Sequence, residues 1–114
     1  MNESDLGALL TERFPYRFPH LQIDRRNILN VETSGGWRAR NGKKGQADYF
    51  VYGPRVHVEV ETKAARPKWY KEQLAWRALC QRLEIPYLIA RALPGEEPEA
   101  TVARWLEELR VLCS

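Results

Sequence analysis

The chain has 114 residues, 44% of them hydrophobic and 29% charged, with a formal net charge of +3. That length supports one core, so a single domain over residues 1–114 is expected, with the composition of an ordinary globular protein. No apolar run approaches the roughly 18 residues of a membrane span. Met1–Asp5 has neither the basic nor the apolar region of a secretory signal, and Cys80 and Cys113 form no metal spacing or disulfide framework. Cytoplasmic residence follows as the expectation, and the mild positive charge permits a polyanionic partner without requiring one.

Ser4 can cap a first helix running to about Arg13, with Leu6, Leu9, Leu10 and Phe14 on its apolar face. Pro15 and Pro19 predict that an extended, aromatic-rich loop follows. Asn27 to Thr33 alternates in polarity and reads as a first strand, broken by Ser34-Gly35-Gly36. Trp37 to Gly45 then carries Arg38, Arg40, Lys43 and Lys44 with no acidic residue. It reads as a mobile cationic loop suited to phosphate contacts, or as a plain solvated loop.

Asp48–Tyr52 and Val56–Thr62 read as two strands joined by a tight turn at Gly53-Pro54. In the second, Val56, Val58 and Val60 share one face while His57, Glu59, Glu61 and Lys63 share the other. A wholly polar face on a Val-rich strand has two readings. It is solvated, as one face of a hairpin often is, or it builds a metal site in which Asp48 and Glu61 share a hard divalent cation beside Lys63.

Beyond Pro67, Trp69 to Glu84 predicts a helix with Trp76, Leu79, Cys80 and Leu83 on one face and Gln73 at its head. Pro86 to Arg91 is a short buried strand, so the unit from Val56 to Arg91 implies a parallel crossover. Pro98 opens a last helix with Val102, Trp105, Leu106, Leu109 and Leu112 facing inward. The whole reads as α/β, with a mixed sheet and a C-terminal helix.

Asp48 followed by Glu61-Thr62-Lys63 resembles the Asp…(Asp/Glu)-x-Lys signature of the PD-(D/E)XK nuclease superfamily. Gly45-Gln46-Ala47-Asp48, and Gln73 ten residues after Lys63, are similar to its virus-type replication-repair nuclease (VRR-NUC) branch, over roughly Asn27 to Arg91. Ala47 stands where the branch usually has proline, and Ala64 to Glu72 is bulkier and more basic than usual. The resemblance implies a restriction-endonuclease-like αβββαβ core and a metal-dependent DNA endonuclease or nickase, structure-selective in DNA repair or phage replication. It implies products with 5′-phosphate and 3′-hydroxyl ends, and a homodimer.

The same resemblance implies that Asp48, Glu61 and the Thr62 carbonyl hold Mg²⁺, with Mn²⁺ substituting. Lys63 would act on the water or phosphate, and Gln73 would position either the water or Lys63. A first-helix glutamate, Glu3 or Glu12, would approach the metal. Arg38, Arg40, Lys43, Lys44, Arg66, Lys68 and Lys71 would contact DNA, because cations must offset two carboxylates before a phosphodiester can approach. A non-catalytic nucleic-acid-binding or assembly module on the same fold is the alternative, and an α/β interaction domain with a wet sheet face is a third reading.

Overall fold

In a computed structural model that describes residues 2–26, 29–32, 38–41 and 45–114 (residues 29–32 and 38–41 by backbone alone), the chain begins with helix α1, Glu3–Arg17. Strands β1 (Gln22–Arg25), β2 (Leu29–Glu32), β3 (Arg38–Asn41), β4 (Tyr49–Gly53) and β5 (Val56–Lys63) follow, then α2 (Lys71–Arg82), β6 (Tyr87–Arg91) and α3 (Pro98–Cys113). A four-stranded sheet runs in the order β1-β4-β5-β6, and β2 and β3 pair as a separate two-stranded ribbon. The large sheet is mixed: β1, β4 and β5 pair antiparallel, while β5 and β6 are parallel. The parallel pair is the one bridged by α2, because a helical crossover returns the chain in its original direction. Among the described residues no helix is long and apolar enough to cross a membrane.

Three local expectations are corrected. The first strand of the sheet is Gln22–Arg25, not Asn27 to Thr33; Ile23 is buried opposite Val51, while Leu29–Glu32 pairs with β3 instead. Alternation predicts a strand but not its partner. The expected cationic loop contains a strand, in which Arg38 pairs with Glu32 and Arg40 with Asn30 along the ribbon. Pairing satisfies backbone groups that a loop would leave to water. Trp37, Lys43 and Lys44 lie outside the described residues. Helix α1 starts earlier and ends later than expected. Asn2 rather than Ser4 caps it, Oδ1 accepting from the Asp5 N–H at 2.9 Å, and it runs through Pro15 to Arg17. Phe14 is fully buried, its ring stacked on Phe18 at 4.8 Å, and the Phe18 N–H bonds to the Phe14 carbonyl. Anchorage on both sides outweighs the single N–H that Pro15 lacks.

One face of the sheet is the core. Tyr49, Val51, Val58, Val60, Leu88 and Ala90 pack against Leu6, Leu10 and Phe14 of α1 and Val102, Trp105, Leu106 and Leu109 of α3. Gly7 lets α1 lie directly on the Tyr49 ring, where any side chain would strike the phenol. On the other face His57 is exposed, but Glu59, Glu61 and Lys63 are not solvated: they are only 1%, 1% and 2% exposed. Contacts to Glu59 and Lys63 come from α2. This helix is shorter than expected, and of its predicted apolar stripe only Cys80 is fully buried; Leu83 is exposed.

The end of α2 is strained. The Ile85 N–H bonds to the Cys80 carbonyl and the Glu84 N–H to that of Gln81, the two bonds of a Schellman ending. That ending needs a left-handed residue, here Glu84 at φ 58°. A side chain there costs about 1–2 kcal/mol, part of which glycine returns through its freer unfolded chain. Glu84→Gly should therefore raise stability by about 0.5 kcal/mol in urea unfolding; a lower midpoint would show that the Glu84 side chain outweighs the strain.

Candidate active site

Asp48 sits where the chain enters β4, and three contacts fix it there. Gly45, at φ 89°, passes so close to the Glu72 backbone of α2 that no Cβ would fit. The Arg26 N–H donates to the Asp48 carbonyl at 2.7 Å, and the Arg26 guanidinium to the Ala47 carbonyl at 3.1 Å. The Asp48 carboxylate then accepts on Oδ2 from the Thr62 N–H at 3.0 Å and the Thr62 hydroxyl at 2.8 Å. Asp48 and Glu61 thus meet from adjacent strands, as the hairpin register implies with Tyr49 opposite Val60.

Glu61 is the unusual member of this pair. Burial is the main cause that pushes its carboxyl up to about 9; hydrogen-bonding contact with Asp48 and the Asp48 charge add to it, while Lys63 works against it. Its Oε1 has no hydrogen-bond partner among the described residues. A small cavity of about 60 Å³ lies beside Asp48, lined by Glu3, Ser4, Arg25, Asp48, Tyr49 and Thr62 but not by Glu61. A buried water needs roughly 10–15 Å³ by the same kind of measure, so the cavity has room for a cation and a few waters. The first-helix glutamate at this site is Glu3. Its Oε1 accepts from the Ala64 N–H at 3.1 Å, whereas Glu12 pairs with Arg13 on the exposed side of α1.

The Asp48 and Glu61 carboxylates and the Thr62 backbone offer the oxygen donors a hard cation prefers, while the Arg25 guanidinium lines the same cavity and offers none. Among the described residues no three His, Cys, Asp or Glu side chains converge to hold a metal by themselves. A cation here would rest on Asp48 and Glu61, with backbone and water oxygens completing its shell. Thr62 faces the right way for that, because the N–H and C=O of a strand residue point to the same side and its N–H points at Asp48.

Lys63 and Gln73 also come together. The Lys63 ammonium donates to the Lys68 carbonyl at 2.7 Å and to Gln73 Oε1 at 3.0 Å, and lies 4.5 Å from the centre of the Trp69 ring. Gln73 Oε1 also accepts from the Tyr70 N–H, so one amide caps α2 and holds the lysine. Arg66, Lys68 and Lys71 are exposed on the segment leading from Lys63 into α2. Arg38 and Arg40 lie on β3. Arg25, beside Asp48, and Trp69, beside Lys63, were not expected. The Arg25-Arg26 pair at the end of β1, distant in sequence from Asp48, was the only sequence sign of the first.

Glu59 belongs to a different arrangement. Arg26 grips it with Nη1 2.6 Å from Oε1 and Nη2 3.1 Å from Oε2; the Trp76 indole donates to Oε1 at 3.1 Å and His57 Nε2 lies 2.6 Å from Oε2. Every lone pair facing inward is used, and Glu59 is neither solvated nor turned to the cavity. No protein-family model matches the sequence, and no curated protein matches it significantly.

Two outcomes follow. Glu61 has a folded-state pKa raised from 4.5 to about 9, so its contribution to stability is whole below 4.5 and is lost as pH rises through about 9. In EDTA, unfolding free energy should fall over that window, and Glu61→Gln should flatten the fall; parallel pH profiles for the two proteins would contradict this. Glu59→Ala should destabilise by about 3 kcal/mol, because it strands the Arg26 charge against Trp76. A loss under 1 kcal/mol on the same denaturation curves would mean that Arg26 escapes to water.

Proposed function

We propose that the protein is a metal-dependent DNA endonuclease or nickase of the PD-(D/E)XK type, resembling the VRR-NUC domain, with Mg²⁺ at Asp48 and Glu61 and Mn²⁺ able to substitute. The observation that carries this reading is the apposition of Asp48 and Glu61 with Glu61 Oε1 left unpartnered. A buried acceptor without a donor is costly, and two neighbouring carboxylates resist ionising together. One divalent cation answers both difficulties. When bound, it polarises the scissile phosphate and lowers the pKa of a water.

The chain's own residues supply the rest. Thr62 holds the Asp48 carboxylate in one orientation through two donors and offers its carbonyl as a further oxygen. Gln73 and the Lys68 carbonyl engage two of the three Lys63 ammonium donors, leaving the third for a phosphate oxygen or the attacking water. Charge developing on the phosphate is then met by a pre-placed cation at little reorganisation cost. Arg66, Lys68 and Lys71 would bind backbone phosphates, and Arg38, Arg40, Lys43 and Lys44 would add further phosphate contacts. The same tethering of Lys63 favours a second reading, a non-catalytic nucleic-acid-binding module in which the lysine serves only to pin α2.

Cleavage of a panel of linear, flapped and four-way DNAs with Mg²⁺ or Mn²⁺ separates the two. Asp48→Ala and Glu61→Ala should each abolish cleavage, and Lys63→Ala should cripple turnover with cation affinity nearly intact. Binding without cleavage by the wild type, or equal cleavage by Asp48→Ala, would overturn the enzyme reading. Neutralising Arg66, Lys68 and Lys71 together should weaken duplex binding and flatten its log–log salt dependence by up to ~0.9 per lost phosphate contact. An unchanged slope would remove this segment from the DNA surface.

A further inference from the structure

Among the described residues, two buried side-chain atoms lack a hydrogen-bond partner: Glu61 Oε1 and the Tyr87 hydroxyl. They are neighbours. In the parallel register Glu59 lies opposite Tyr87 and Glu61 opposite Ile89, so Tyr87 and Glu61 are diagonal neighbours on one face of adjacent strands. Diagonal neighbours come within reach when one carries a long aromatic side chain. Burial raises the phenol's pKa, and Glu61 is the largest of the nearby charges acting in the same direction, ahead of Cys80 and Asp48; Arg77 opposes them. The register thus sets the phenol on the face of the sheet that carries Glu61. One atom is a donor and the other an acceptor, and folded proteins rarely leave two complementary groups unsatisfied side by side. A single buried water has the size and the bonding capacity to join them.

We propose that Tyr87 is a positioning residue for Glu61: its O–H donates to one buried water, which donates in turn to Glu61 Oε1 and fixes the rotation of the carboxyl group toward Asp48. A carboxylate oxygen has two acceptor sites, so it can take this bond and still face a cation. Hydrogen bonds of this outer kind hold a ligand in its binding orientation. The inference rests on the metal-dependent reading of the Asp48–Glu61 site.

Calorimetric titration with Mn²⁺, in the absence of DNA, tests it on the wild type, Tyr87→Phe and Asp48→Ala. Tyr87→Phe removes one oxygen and keeps the ring, so its thermal midpoint in EDTA should match or exceed that of the wild type. Its Mn²⁺ affinity should fall about 10- to 100-fold, the usual effect of losing such a bond. Equal affinity in the wild type and Tyr87→Phe, with binding lost in Asp48→Ala, overturns this inference and leaves the site reading standing. A Tyr87→Phe midpoint that drops together with affinity overturns it as well, since Tyr87 is then a packing group. Absence of Mn²⁺ binding by the wild type overturns the site reading and this inference with it.

Discussion

Strand β5 buries charge on one face, and the rest of the molecule is arranged around that fact. Glu59, Glu61 and Lys63 are all but inaccessible, and a buried charge is tolerated only with partners. Glu59 has Arg26, His57 and Trp76. Lys63 has two oxygens and the Trp69 ring. Glu61 alone is under-satisfied, since its immediate neighbour is another carboxylate. Glu59 is therefore structural, bracing α2 against the sheet through Trp76, while Lys63 is held in place and Glu61 is left under-satisfied at the same end of the strand.

The division of the sheet makes this possible. Helices α1 and α3 together bury the apolar face, with Trp105 at its centre and its indole bonded to the Arg91 carbonyl. Stability drawn from that side leaves the opposite face free to carry polar groups. Close backbone approach does the fine positioning: Gly45 brings the segment before Asp48 against the first turn of α2, near the turn that supplies Gln73. A side chain at Gly45 would have to push the two apart.

Much of this was legible in the sequence, for identifiable reasons. Alternation at Val56, Val58 and Val60 marks β5 and places Glu61 and Lys63 together; the ten-residue interval to Gln73 brings its amide back over Lys63. The parallel crossover follows from strand, helix and strand in succession. What could not be read depends on partners distant in sequence. Nothing local distinguishes a solvated Glu59 from one gripped by Arg26, which lies 33 residues earlier. Spacing along α1 left Glu3 and Glu12 equal, and the choice was made by the Asn2 cap and the Ala64 amide. The proline rule failed at Pro15 because Phe14 and Phe18 are anchored in the core on both sides of it.

The central claim is that Asp48 and Glu61 form one charge-deficient pair completed by a divalent cation. Infrared difference spectra of protein carrying isotope-labelled glutamate, with Glu61→Gln as the reference, report the protonation of this one carboxyl directly. At neutral pH in EDTA the account predicts a protonated Glu61, and on addition of Mg²⁺ its conversion to the carboxylate, with no such change in Asp48→Ala. A Glu61 signal that stays the same with and without Mg²⁺ would contradict it.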